Sequence, residues 1–563
     1  MLGFEQQVSK PIYALVNVED LLGEGDATTE WERNSVPKEC FIHIRSYDYF
    51  KDYGKLYLFG RRGTGKTSIL RMLKYEFEKE NNGRARYSYV SLIEQNEAYD
   101  KIANSLRKID RNEIPRAEMV RMISQEWKCI LNVYAMFRVV EVEEKIKKGS
   151  LPKCVKYLKA WKLLDGRVDI PTMIDNAYND VAKKIGGGVS EYMQIGMLIN
   201  SLTKELFGPS YKEAMKELGS FLESNNRNCL IMVDSLDKYD IRDEITNGVV
   251  SGLMDASFNF FQNSKTNRIY AKVALPSEIY GWINIQNKGK IESRIVFIFW
   301  GFKDLVVMLA KRHYVKVKGG CPKNNEFQLL DGYEEACAYL YKFLPKEITS
   351  ENFGPVGTLS YMIRHTQKKP RQVIAMFNTV LTEALGPKNS KDDMKIIDEK
   401  LVKDGVHARL DILVDDAIDV YSSLYRNADK IIKRVLTGAK SYFTYSDLDK
   451  YLQEVNALVE EERKENPDIS GLTKEEVKSL LIECGVIGVI ANDDITKERF
   501  VDVNFEYQKK GTLSFGTRNM FAVHPMFYQE LEIMVDRSKF ICPKPSEEEQ
   551  NELIRSIEET GGR

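Results

Sequence analysis

An α/β core built on a parallel sheet, interrupted by a long helical insertion and followed by a helical lid and a winged helix, is the fold predicted by this sequence of 563 residues. Three observations predict it. Residues 60–67 read Gly-Arg-Arg-Gly-Thr-Gly-Lys-Thr, with an apolar run before them and an amphipathic pattern from Ser68 onward, so a strand enters a glycine-rich loop and a helix leaves it. Residues 229–233, Cys-Leu-Ile-Met-Val, are a continuous apolar run ending on Asp234, as expected of a parallel strand covered on both faces. Beyond residue 443 the pattern reads helix, helix and β-hairpin, which is the order of a winged helix.

The spacing G-x-x-x-x-G-K-T carries its own chemistry. Gly60, Gly63 and Gly65 let backbone N–H groups turn inward around phosphate oxygens, with Thr64 in the same cradle. Lys66 reaches the β- and γ-phosphates, Thr67 offers its hydroxyl to Mg²⁺, and the helix starting at Ser68 adds the partial positive charge of its N-terminus. Asp234 stands where a carboxylate holds the Mg²⁺ shell. Asp237 is a candidate either to orient and deprotonate the attacking water or to cap a helix. With no N-K-x-D guanine motif and no L-S-G-G-Q signature, ATP is favoured over GTP, so ATP and Mg²⁺ are the expected cofactors.

Composition excludes several classes. The chain is 43% hydrophobic and 29% charged, an ordinary globular balance, and Lys+Arg at 82 against Asp+Glu at 83 gives a net charge of -1. No overall basic bias points to DNA or an anionic membrane, although a local patch stays open. The eight cysteines form no C-x-x-C pair and the five histidines are scattered, so a zinc or histidine-based centre is not indicated. The longest apolar run, 295–300, falls far short of the ~20 residues that span a bilayer, and the N-terminus lacks signal-peptide character; a cytoplasmic location without membrane association is expected.

Five segments are expected along the chain. These are an N-terminal segment, 1–54; a core, 55–310, with a helical insertion at 96–226; a helical lid, 311–412; a winged helix, 413–540; and a polar tail, 541–563. Within the core, 85–92 alternates like a strand, 268–276 forms another ending at Ser277 and Glu278, and 291–300 gives the last, followed by a helix over 304–314. Ser277 and Glu278 are either γ-phosphate sensors or a plain polar loop start. Helical spacing recurs at 122–140 and 192–206, and glycines 186–188 mark a hinge. Helices are expected to dominate to about residue 385. A helix is then expected from Phe443, a second, capped by Thr473, up to Cys484, and strands at 485–490, 499–507 and 513–523 around Lys509 and Lys510.

With the loop, the Asp-Ser-Leu-Asp acids of 234–237, the lid and the winged helix, the chain resembles the STAND and AAA+ side of the additional-strand P-loop ATPases. The likeness is to bacterial members ending in a "vHPmF" stretch, here Val523, His524, Pro525, Met526 and Phe527. The resemblance implies a five-stranded parallel sheet, an ATP-driven conformational cycle and a homo-oligomer. Residues 367–371, Gln-Lys-Lys-Pro-Arg, look like the lid motif G-x-P-R, in which Arg371 would report the γ-phosphate or else be a plain surface arginine; Lys368 stands where glycine is usual. Arg294 is a candidate trans-acting finger, with an internal or surface salt bridge as the favoured alternative. Single Asp234 followed by Ser235, with Asp237 as the second acid, points to slow hydrolysis.

Two functions are weighed. The first is an ATP-binding and ATP-hydrolysing molecular switch that controls assembly or a partner protein, an effector or sensor acting in trans, in bacterial anti-phage defence. The alternative is a DNA-associated ATPase using its winged helix on duplex DNA. The acidity of the candidate recognition helix, with Lys474 and Lys478 set against Glu475, Glu476 and Glu483, argues for the first.

Overall fold

The computed structural model describes residues 38–79, 86–94, 116–166, 207–234, 244–283, 288–318, 325–350, 354–385, 397–422, 427–453, 473–491, 500–506, 518–536 and 538–543, with short pieces within 22–32 and 169–176 and at 424–425, 455 and 464. It forms two compact units. One joins Arg45–Gly60 to Lys66–Ile298; the other joins Met1–Ile44, Arg61–Gly65 and Phe299–Arg563. A boundary between the two units falls between Ile44 and Arg45.

The first unit is built on strands β1 (Tyr57–Gly60), β2 (Tyr89–Ile93), β3 (Cys229–Val233), β4 (Ile269–Pro276) and β5 (Ile295–Phe297), in the order β2-β3-β4-β1-β5. Every pairing is parallel. β4 intervenes between β1 and β3, the additional-strand arrangement, and all of β1 and β3 is buried, which explains their unbroken apolar runs. The helix Arg116–Ile146 packs against Glu244–Gln262 and over the sheet. Tyr89 donates to Glu143 at 2.7 Å and Arg227 donates to Tyr89 at 2.6 Å, which pins that helix to β2.

A lysine hides inside β4. Lys272 is 1% exposed and donates to the carbonyls of Phe50 at 2.7 Å, Asp52 at 2.8 Å and Lys55 at 2.5 Å. It thus closes the C-terminal end of helix Arg45–Lys51 and the turn that leads into β1. Burial pulls its pKa down to about 7, with Asp52 opposing.

The second unit holds helices Phe302–Lys318, Thr358–Arg364, Pro370–Leu385, Glu399–Ser422 and Ala428–Leu436, and the antiparallel hairpin of β6 (Glu347–Ser350) and β7 (Gly354–Gly357). That hairpin interrupts the stretch expected to be helical. Its C-terminal part is a second five-stranded sheet, β12-β10-β9-β11-β8, of β8 (Tyr442–Thr444), β9 (Ile487–Ile490), β10 (Phe500–Asn504), β11 (Met520–Val523) and β12 (Phe540–Pro543). β12 runs parallel to β10, and the other pairs are antiparallel. Val501, Val503, Phe505, Ala522 and Ile541 close its core.

Sequence and structure differ at two places here. Phe443 lies in β8 and not at a helix start, because Thr444 caps the helix Tyr445–Tyr451 through a capping box with Asp447. Thr473 caps Lys474–Glu483 in the same way with Glu476, as expected. β12 crosses the expected start of the polar tail at 541. The expected helix at 192–206, the hinge at 186–188, and Lys509 and Lys510 lie outside the described residues.

His365 and His524 are buried in this unit. The ring Nδ1 of His524 accepts the Met526 N–H at 3.1 Å, which shapes the Pro525–Phe527 turn after β11. Burial, reinforced by the charges of Arg364, Lys368 and Lys369, pushes His524 down to about 3, and burial likewise holds His365 well below the usual imidazole range.

Candidate functional site

The strand β1 delivers Gly60, and the helix Lys66–Lys79 begins at Lys66, two residues earlier than expected, so Lys66, Thr67 and Ser68 form its first turn. Between them Gly63 has φ +83° and Gly65 φ +91°, left-handed values that a side chain rarely adopts. A turn stabilises the loop: Thr64 donates through its N–H at 3.1 Å and its hydroxyl at 2.7 Å to the Arg61 carbonyl. The Lys66 ammonium is buried and donates to the Gly60 carbonyl at 3.0 Å.

Asp234 ends β3, where its N–H donates to the Ile93 carbonyl at 2.8 Å, and it is 5% exposed. The Thr67 hydroxyl donates to its Oδ2 at 2.7 Å. Residues 167 positions apart in sequence thus converge on one point. An alcohol and a carboxylate are hard oxygen donors, which suits Mg²⁺, an ion that keeps waters and phosphate oxygens in the rest of its shell. The same helix is fixed by Arg71, which grips Glu94 beyond β2 at 2.5 and 2.7 Å; nothing in the local sequence pattern announces that pair.

The tip of the loop, 61–65, belongs to the second unit. Arg371 sits on it: its N–H approaches the Gly63 carbonyl at 3.4 Å, and a Cβ at Gly63 would lie 3.3 Å from the Arg371 Cβ. Arg371 also donates through Nε to the Gly25 carbonyl at 3.1 Å. Pro370 opens the helix Pro370–Leu385, and Lys368 adopts φ +52°, the conformation glycine would take in the expected motif. The Trp300 indole donates to the Thr64 carbonyl at 2.9 Å.

Other expected residues fall as follows. Ser277 and Glu278 lie in the turn Ser277–Ile279 directly after β4, whose Pro276 is in register with Gly60. Arg294 packs its guanidinium 4.2 Å from the Phe261 ring and donates to the Gly54 carbonyl at 3.2 Å, internal contacts with a ring and a carbonyl and not with the carboxylate of a salt bridge. Asp237 lies outside the described residues. Among the described residues there is no group of three or more His, Cys, Asp and Glu able to hold a metal, and no helix long and apolar enough to cross a membrane.

Residues 56–268 match the model of the KAP family P-loop domain. The Escherichia coli (strain K12) transposon gamma-delta 80.3 kDa protein is 21% identical over 305 residues, which are 52% of this chain and 40% of that protein. The chain thus spans well under half the length of this curated relative. Among solved structures, the Aeropyrum pernix ORC2 protein in its ADPNP and ADP complexes aligns with 90% of this chain and 89% of its own, at 9% identity and a TM-score of 0.34. The Aeropyrum pernix ORC1 protein in complex with DNA aligns with 80% of this chain and 86% of its own, at 11% identity and a TM-score of 0.30. A P-loop NTPase domain on a parallel sheet therefore carries the site.

Proposed function

We propose that the protein is an ATP- and Mg²⁺-dependent molecular switch with slow hydrolysis, in which nucleotide state sets the arrangement of a helical lid (311–412) and a winged helix (413–540) and so controls homo-oligomeric assembly or a partner protein in trans. The observation that carries this reading is the packing of Arg371 on Gly63, because it brings the arginine of the lid motif to the loop that holds the phosphates. A switch needs a contact that ATP makes and ADP does not, and an arginine at this place supplies one. Thr67 and Asp234 would hold Mg²⁺, which neutralises phosphate charge; Lys66 would bind the β- and γ-phosphates and Asp237 position the water. Action in bacterial anti-phage defence rests on resemblance alone.

The DNA-associated reading draws on the helices Ala428–Leu436, Tyr445–Tyr451 and Lys474–Glu483 and the strands β8, β9 and β11, an arrangement that fits a winged helix. Its candidate recognition helix turns Lys478 inward, however. That lysine is 3% exposed, pairs with Glu475 at 2.8 Å and donates to the Tyr445 hydroxyl at 2.9 Å. Although burial lowers its pKa, those two hydrogen bonds outweigh it and leave the pKa raised. This supports a packing role. The deciding measurement is the ATPase rate across protein concentration, with and without duplex DNA. Turnover that rises with concentration alone supports the assembling switch, turnover that rises with DNA supports the alternative, and no Mg²⁺-dependent ATP binding overturns both.

A further inference from the structure

A helix leaves its last carbonyls without intrahelical donors. At the end of Lys474–Glu483 three of them are met locally. Cys484 N–H reaches the Leu480 carbonyl, Gly485 N–H that of Ile482, and Val486 N–H that of Leu481, each at 2.9 Å. The last two bonds form a Schellman turn, for which Gly485 supplies φ +70°. The carbonyls of Glu483 and Cys484 remain, and their donors come from far away in sequence. Arg61 Nη2 and the Tyr421 hydroxyl both donate to Glu483 O at 2.6 Å, and Gln367 Nε2 donates to Cys484 O at 2.6 Å.

The origin of these donors matters. Arg61 follows Gly60 in the phosphate loop and is 8% exposed, whereas its neighbour Arg62 is exposed. Gln367 lies in the turn that leads to Pro370 and Arg371, and its own N–H is held by Gln372 Oε1 at 2.8 Å. A guanidinium placed at the negative end of a helix dipole makes a charge-assisted cap. The backbone that must turn its N–H groups toward a phosphate is also the backbone that carries this guanidinium.

We propose that Arg61 is the positioning residue through which the phosphate loop grips the end of helix Lys474–Glu483, so that nucleotide state at the loop sets the order of that helix end. Gln367 is the second grip, from the turn before Arg371. The inference rests on the switch reading above and names the contact by which the switch reaches the C-terminal module.

The test is hydrogen exchange of amides 480–486 in the full chain, with Mg²⁺ and either ATP or ADP. Wild type is expected to show rates that differ about tenfold between the two nucleotides, the scale of one charge-assisted hydrogen bond. Arg61→Ala is expected to bind both nucleotides within about threefold of wild type, since Lys66, Thr67 and Asp234 are intact, yet to exchange equally in both. Tyr421 still caps Glu483 in that variant, so the unit keeps its fold. Arg61→Lys, which retains a cation and one donor, should restore part of the difference, and it carries the test should the alanine variant not fold. An Arg61→Ala protein that keeps the wild-type difference overturns the proposal. So does a wild type that differs between nucleotides over Pro370–Leu385 but not at 480–486, a result that leaves the switch reading standing. No difference at either place overturns both.

Discussion

The two ends of the phosphate loop are held by different kinds of structure. The helix end, Lys66 and Thr67, is fixed by near neighbours of the same sheet: the Gly60 carbonyl, and Asp234 at the tip of β3. The tip, 61–65, is fixed by Trp300, Arg371 and the carbonyl of Glu483. One end carries the groups proposed to meet phosphate and metal, and its geometry needs only the glycine loop and two parallel strands. The other end takes its support from residues hundreds of positions later. On the proposed reading, binding chemistry and the sensing of binding lie at different ends of this loop, and substitutions should separate them.

The largest effect is expected at the chemical end. Lys66→Ala should weaken ATP by about thirtyfold or more, the loss of a charge-assisted contact of about 2–3 kcal/mol, read by calorimetric titration. Unchanged affinity would break the comparison outright. Asp234→Ala should cost about tenfold in the presence of Mg²⁺ and little in chelator, because only the metal-linked part of binding is removed. At the tip, Arg371→Ala should leave affinity for ADP near wild type while removing about 1.5–3 kcal/mol of preference between nucleotide states. Protease sensitivity of Pro370–Leu385 would then be equal in ATP and ADP.

A smaller, pH-dependent effect should separate the two units. Lys272 in the first has a folded pKa of about 7 against 10.5 unfolded, so the unfolded chain binds the proton more tightly between those values, and this unit gains stability as pH rises through that window. His365 and His524 in the second are held neutral when folded, so the unfolded chain takes up protons below about 6.5. Their contribution is complete above that pH and is lost as pH falls, for His524 down to about 3 at about 1.4 kcal/mol per unit, and for His365 in the same direction. Both units thus gain stability as pH rises, but in different windows, and urea midpoints followed by exchange in each unit at pH 5.5, 6.5, 7.5 and 8.5, roughly unit steps from one window into the other, check that the second unit responds below about 6.5 and the first above about 7. Identical pH trends in the two units would dissolve the contrast. Least affected should be Lys474→Glu, a half-exposed change expected to move stability by less than about 0.5 kcal/mol.

What could be read from sequence follows the same division. The left-handed turns at Gly63 and Gly65 were legible because glycine adopts them most readily, and the place of Asp234 because an apolar run must end where the strand does. The helix start at Pro370 was legible from the proline itself, and Lys368 takes the left-handed conformation at the position where the motif has glycine. Arg71 with Glu94, Trp300 with Thr64 and Arg61 with Glu483 were not legible, since each is an ordinary residue until the chain folds back upon it. β6 and β7 escaped notice because Gly354-Pro-Val-Gly357 has the composition of a turn, and β8 because three residues ahead of a capping box read as the helix they precede. Lys272 interrupted no pattern, yet its amine proved to be the clasp of the turn into β1.

The dependence of the loop tip on Trp300, Arg371 and Glu483 has a consequence for synthesis. Chains grow at roughly 5–20 residues per second, so Arg371 leaves the ribosome roughly 15–60 s after Arg61 has done so. Through that interval the glycine loop exists without the supports that give its tip a fixed shape, while the strand and helix on either side of it are already present. A nascent chain halted before residue 300 therefore carries the glycine loop but none of the three residues that hold its tip. The supports of the loop tip are therefore all in place only after residue 483 has been made.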